Sequence, residues 1–137
     1  MLPNEYQRLA HRTETDAKSP FDESVYGPEI AKMLWRLMHA QQGLADEVGE
    51  FTKQIKAHLY YSSELNCNNL VEELGDALWY IALACNAMDA DLEYVMEKNI
   101  EKLRKRFPNK FTAEAAQEEN RDREAEAEVF GEENQNG

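Results

Sequence analysis

A chain of 137 residues, 42% of them hydrophobic, is the length of one domain and can bury one core. Its 27 acidic and 15 basic residues leave a net charge of -12, which argues against general nucleic-acid or anionic-membrane binding, since both need a positive field. A small polyanion stays open as a ligand, because a site-bound metal ion reverses the local potential. Two cysteines, Cys67 and Cys85, form neither a disulfide framework nor a CxxC, and point to a reducing cytosol. Met1-Leu2-Pro3-Asn4-Glu5 lacks the basic start and apolar run of a signal peptide, and no stretch nears the roughly 20 apolar residues of a membrane helix. The expectation is a soluble, cytoplasmic protein.

Glycine and proline are few, and β-branched alternation is missing, so the predicted elements are helices. The first covers Asn4 to about Thr13, with Tyr6, Leu9 and Ala10 on its apolar side. Ser19 to Ser24 reads as a loop. Gly27-Pro28-Glu29 reads as a helix start, with Pro tolerated and an acid favoured in the first turn. The second helix runs from about Pro28 to Leu59 along the seam Ile30, Leu34, Leu37, Gln41, Leu44, Val48, Phe51, Ile55 and His58. Its interior Gly43 and Gly49 each cost about 1 kcal/mol relative to alanine, so Gly43 marks a bend or the close approach of a ligand or helix.

Tyr60 to Asn68 breaks the pattern as a loop. A third helix follows from about Asn69 to Met88, with the seam Leu70, Leu74, Ala77, Ile81, Ala84 and Met88. Asp89-Ala90-Asp91 connects it to a fourth helix carrying Leu92, Val95, Met96, Ile100 and Leu103 and stopping near Phe107-Pro108. The fold class is therefore all-α, a four-to-five-helix bundle over residues 1–112. Residues 113–137 hold nine acids and two arginines, a composition that predicts a mostly mobile acidic tail. Within it Ala115 to Val129 has the alternative of a helix anchored by Val129-Phe130.

Two acidic clusters carry the chemistry: Asp46-Glu47-Val48-Gly49-Glu50 and Glu72-Glu73-Leu74-Gly75-Asp76. Carboxylates three residues apart share a helix face, and two such helices side by side gather four of them. With Leu44 facing the core, Glu47 lies about 60° and Glu50 about 120° to one side, while Asp46 points away. With Ala77 facing the core, Glu73, Tyr80 and Asp76 lie about 40°, 60° and 100° to one side, and Glu72 turns outward. Relative to Leu103, Asn99, Arg106 and Lys102 share one edge of the fourth helix at about 40°, 60° and 100°. Oxygen-rich sites suit Mg²⁺, which shares its ligands with phosphates, and an amide, an ammonium and a guanidinium suit a polyphosphate chain.

Bland readings compete. A single ExxE or ExxD pair usually sits on a solvated face, and a basic last turn complements the helix dipole whatever its function. His39 and His58 lack the Glu-x-x-His partners of a di-iron bundle. Trp35 and Trp79 read as core, while Tyr80 shares the acidic edge and is open to a nucleotide.

The stretches Gly43 to Glu50, Glu72 to Tyr80 and Glu97 to Pro108 together resemble the MazG-like all-α nucleotide pyrophosphohydrolases, whose pattern is EExxE, a spacer, ExxD, then KNxxKLxxR(Y/F)P. The match in order and spacing spans residues 27 to 112. Asn4-Glu5-Tyr6-Gln7 also looks like the small phage and bacterial members. The resemblance implies a helical bundle that forms a homodimer or dimer of dimers through its long helices. It implies a Mg²⁺-dependent reaction (Mn²⁺ a possible substitute) that splits a nucleoside triphosphate into monophosphate and pyrophosphate. Carried over by position, Glu47, Glu50, Glu73 and Asp76 hold the metal, Asn99, Lys102 and Arg106 meet the phosphates, and Tyr80 lies beside the sugar or base. Asp46 stands where the motif has its first glutamate and keeps a carboxylate. Alternatives are a narrow dUTP or dCTP pyrophosphatase, a phosphoribosyl-ATP pyrophosphohydrolase, and a catalytically idle acidic helical protein that binds a basic partner.

Overall fold

The computed structural model describes residues 1–131, and among them every regular element is helical. The α-helices are α1 (Pro3–His11), α2 (Glu23–Tyr26), α3 (Pro28–Tyr61), α4 (Cys67–Ala87), α5 (Leu92–Arg106), α6 (Ala113–Ala116) and α7 (Arg123–Gly131), with a 3₁₀ turn at Glu118–Asn120. Two compact units divide the chain at Leu92–Glu93, ahead of the expected boundary at residue 112.

In the first unit α3 is the long strut, 34 residues or about 51 Å. It starts where expected: Gly27 has φ 77, a left-handed backbone that glycine adopts without cost, and Pro28 follows in the first turn. It ends two residues later than expected, where Ser62 turns left-handed at φ 55. Helix α4 starts early, at Cys67, because the Asn66 side chain accepts from the Asn69 backbone N–H and caps it. The expected loop at residues 19–24 is shortened by α2, a single turn capped by Asp22, whose carboxylate accepts from the Ser24 N–H at 2.8 Å.

Helix α3 packs along α4, α1 packs on α4, and α2 on α3. Ala31, Ala40 and Gly43 are the buried positions of α3, and Ala82, Leu83 and Cys85 those of α4. Buried Gln7 on α1 adds a polar clamp. Its Nε2 donates to Asn86 Oδ1 and Ala90 O, and its Oε1 accepts from the Leu92 N–H. The carboxylate of Glu14 accepts from Arg36 Nε and, at 2.7 Å, from Nη2, while Arg36 Nη1 donates to Asn86 O.

The seam of α4 is a correction. Its inward face is Trp79, Ala82, Leu83 and Asn86 rather than the expected Leu74, Ile81 and Met88, which stay 54%, 37% and 51% exposed. The helix is apolar on two sides, and periodicity alone does not say which side α1 and α3 cover. The same holds on α3, where Val48 is 56% exposed.

The second unit holds α5 from Glu93, α6, the 3₁₀ turn and α7. Within the segment read as a mobile tail, residues 113–131 thus carry two short helices, and the last six residues lie outside the described ones. Arg121 and Glu126 form an ion pair with side chains 14% and 7% exposed. Val129 is buried like an anchor, whereas Phe130, expected to join it, is 47% exposed.

Candidate functional site

One turn of α3 and one turn of α4 face each other around Glu47, Glu73 and Asp76. One carboxylate oxygen from each lies within 4.8 Å of the others, a set that fits a hard divalent cation. Glu47 and Glu73 are half-buried and Asp76 is exposed. The crowding is visible in Glu47, whose pKa is pushed up first by burial, then by the Asp76 charge, then by a hydrogen bond with Glu73 and the charges of Glu73 and Asp46. A cation among these oxygens relieves that repulsion.

Glu50, the fourth predicted ligand, is not in this trio. It points along the exposed side of α3, where Lys53 Nζ lies 3.3 Å from its Oε2. Asp46 and Glu72 are exposed, as their angular positions predict.

Two groups that orient Glu73 escape sequence reasoning. Asn69 Nδ2 donates to Glu73 Oε1 at 2.5 Å, and Gln54 Nε2 donates to Asn69 Oδ1 at 2.7 Å. The relay runs from Gln54 on α3 to Asn69 on α4 and on to Glu73, one turn further along α4. Asn69 stands four residues before Glu73 and Gln54 seven after Glu47, so the same-face spacing was present. Only the pairing of the two helices turns it into a contact. Tyr6 of α1 was read as apolar packing. Its hydroxyl donates to Gly75 O at 3.3 Å, and burial followed by the Asp76 charge raises its pKa.

Tyr80 stands beside the trio. Its ring meets Trp79 edge-on at 4.9 Å and His39 at 5.7 Å between centroids. Burial, then the charges of Glu47, Asp46 and Asp76, push its pKa up, so the phenol remains a hydrogen-bond donor. Trp79, read as core, is half-buried and donates from Nε1 to Thr13 Oγ1 at 2.7 Å. His39 also lines a cleft of about 900 Å³ with Glu14, Trp35, Arg36 and Asn86.

The basic residues belong to the second unit. Asn99 is exposed and Lys102 half-buried. Arg106 Nη2 donates to Ala116 O at 2.7 Å, and its buried Nε meets no acceptor among the described residues. The Arg104 and Lys105 side chains line a small hollow with Glu101, Glu128 and Val129.

The family model described as the MazG nucleotide pyrophosphohydrolase domain matches residues 36–111, more than half of the chain. The chain belongs to the MazG family. The matched span holds all eight predicted site residues, from Glu47 to Arg106. The Gene 37 protein of Mycobacterium phage L5 is 34% identical over 90 residues, which cover 62% of this chain and 79% of that protein. No solved structure matches. Membership makes this helical domain a nucleotide pyrophosphohydrolase in general kind, and no helix among its described residues is long and apolar enough to cross a membrane.

Proposed function

We propose that this MazG domain hydrolyses nucleoside or deoxynucleoside triphosphates to the monophosphate and pyrophosphate with Mg²⁺, or Mn²⁺ in its place. The observation that carries the reading is the trio Glu47, Glu73 and Asp76, three carboxylates brought within 4.8 Å by two different helices. Such crowding is costly unless a cation balances it, and an idle acidic binding protein has no need of it. Glu50 completes the ligand set by family position. A bound divalent ion neutralises phosphate charge and lowers the pKa of an attacking water.

The chain's own residues supply the rest. The Gln54–Asn69 relay holds Glu73 in one orientation. Tyr80, kept protonated, offers a donor at the rim, and the neighbouring cleft beside His39 and Trp35 has the volume for a nucleoside. Asn99, Lys102 and Arg106 meet the phosphates, as their family positions imply. The supported partner is a second copy. Val71, Leu74, Leu78 and Ile81 form an exposed apolar stripe on α4, 67%, 54%, 48% and 37% accessible, and a stripe of that kind needs cover in water. We infer that this stripe pairs copies into a homodimer or dimer of dimers, and we place the enzyme's work in the cytoplasm, where its nucleotide substrates are.

The test is pyrophosphate release from a panel of ribo- and deoxyribonucleoside triphosphates, with Mg²⁺ and with chelator. Metal-dependent release with a monophosphate product is expected, and its ranking separates a broad enzyme from one devoted to dUTP or dCTP. A folded protein that releases nothing across the panel overturns the proposal.

A further inference from the structure

Gly43 is buried in α3, and the space where a Cβ would stand is filled by the Tyr80 ring. An ideal Cβ there would lie 2.0 Å from Tyr80 Cε1, 2.1 Å from Cζ and 2.6 Å from Cδ1. No real Cβ tolerates those distances, so any other residue at 43 must move the ring. Gly49 and Gly75, the other interior glycines of these two helices, have nothing within 4 Å of that point. The close approach is specific to Gly43.

Position makes this a matter of function. Gly43 lies four residues before Glu47 on α3, and Tyr80 four residues after Asp76 on α4, so both occupy the turn next to the carboxylates on the same faces. The ring also makes T-shaped contacts with Trp79 and His39. Three contacts, one of them a missing side chain, therefore fix one aromatic group. Burial alone does not account for the glycine, since Ala40 and Ala82 on the same two helices are buried too with a Cβ in place.

We propose that Gly43 is a positioning residue that acts through Tyr80. By leaving out a Cβ it lets the phenol ring lie against the α3 backbone at the rim of the carboxylate trio, where the nucleotide is recognised. The inference rests on the proposed reading that Tyr80 touches the nucleotide, and it adds a second residue that determines how well.

The experiment compares wild type, Gly43→Ala, Tyr80→Ala and the double variant. The full chain is used with Mn²⁺, a non-hydrolysable nucleoside triphosphate analogue for calorimetry, and pyrophosphate release for kcat and KM. Each single variant is expected to weaken analogue binding and raise KM by about tenfold, the scale of one lost aromatic contact. Mn²⁺ affinity stays unchanged, and Gly43→Ala adds nothing once Tyr80 is alanine. Equal losses from Gly43→Ala with and without Tyr80 would mean that the glycine serves packing alone, and they overturn the proposal. So does wild-type affinity in Tyr80→Ala, a result independent of whether Gly43→Ala folds. Wild type that binds no analogue at all defeats the nucleotide reading itself. Binding without pyrophosphate release removes only the hydrolysis and leaves the Gly43 comparison to be read from affinity.

Discussion

Replacing Glu47 with glutamine is expected to strengthen the metal-free fold while removing its response to metal. The oxygens of Glu47, Glu73 and Asp76 lie within 4.8 Å of one another. At that separation two unit charges repel by about 1 kcal/mol in water-like surroundings and about 3.5 kcal/mol at an effective dielectric constant of 20. Asp76 is exposed and the others only half-buried, so water and salt keep the effect near the lower figure. An acid whose folded pKa is raised, as burial and its neighbours raise that of Glu47, contributes stability that is complete below its unfolded pKa. That stability is lost as pH rises through the folded value. Near pH 7.5 the charged trio therefore weighs against folding. Glu47→Gln should gain about 1 kcal/mol in chelator, or about 4 °C in Tm for a chain of this length. With Mg²⁺ at ten times its Kd, wild type should gain about 1.4 kcal/mol and the variant nothing. Thermal unfolding followed by circular dichroism, in chelator and in Mg²⁺, reads both. A variant that melts below wild type in chelator and still rises with Mg²⁺ refutes the electrostatic reasoning and the ligand assignment together.

Asn69→Ala removes the donor that orients Glu73, and outer support of this kind is worth about 10- to 100-fold in metal affinity. Mn²⁺ titration calorimetry should show that loss with the fold intact; unchanged affinity sinks the relay. Arg36→Ala strands Glu14, whose side chain is 8% exposed, and should cost about 3 kcal/mol in urea unfolding. Burial alone would raise the Glu14 pKa, but hydrogen bonds from Arg36 and His11 outweigh it and hold the carboxyl low. Its stabilising contribution is thus present above the unfolded value of about 4.3 and fades as pH falls through the lower folded one. In Arg36→Ala the acid limb of stability against pH should flatten, and an unaltered limb would show that the pair does not set it.

Much of this fold can be read from the chain because its long helices announce themselves. Apolar residues at helical period, Gly27-Pro28 at one start and Phe107-Pro108 past one end bound α3 and α5 closely. The single turn α2 has too few residues for any period, and only its Asp22 cap marks it. Which side of α4 is inward was not legible, because that side is chosen by α1 and α3 rather than by the helix itself. The same limit explains the site. Spacing on one helix selects Glu47, Glu73 and Asp76, since i and i+3 share a face. Glu50 satisfies the same rule, yet its position at about 120° from the core leaves it free to meet Lys53. Gln54 and Asn69 become partners only through the register between two helices, which no single-helix pattern contains.

The two cysteines sit at opposite extremes of this arrangement. Cys67 is exposed at the first residue of α4, while Cys85 is buried on the same helix beside Ala82 and Leu83, and burial raises its thiol pKa. Because the thiolate is the reactive form, a thiol reagent meets exposed Cys67 at once and Cys85 only when the packing that buries it opens. The chain thus carries its own clock for the opening of its core, timed against an internal standard on the same helix.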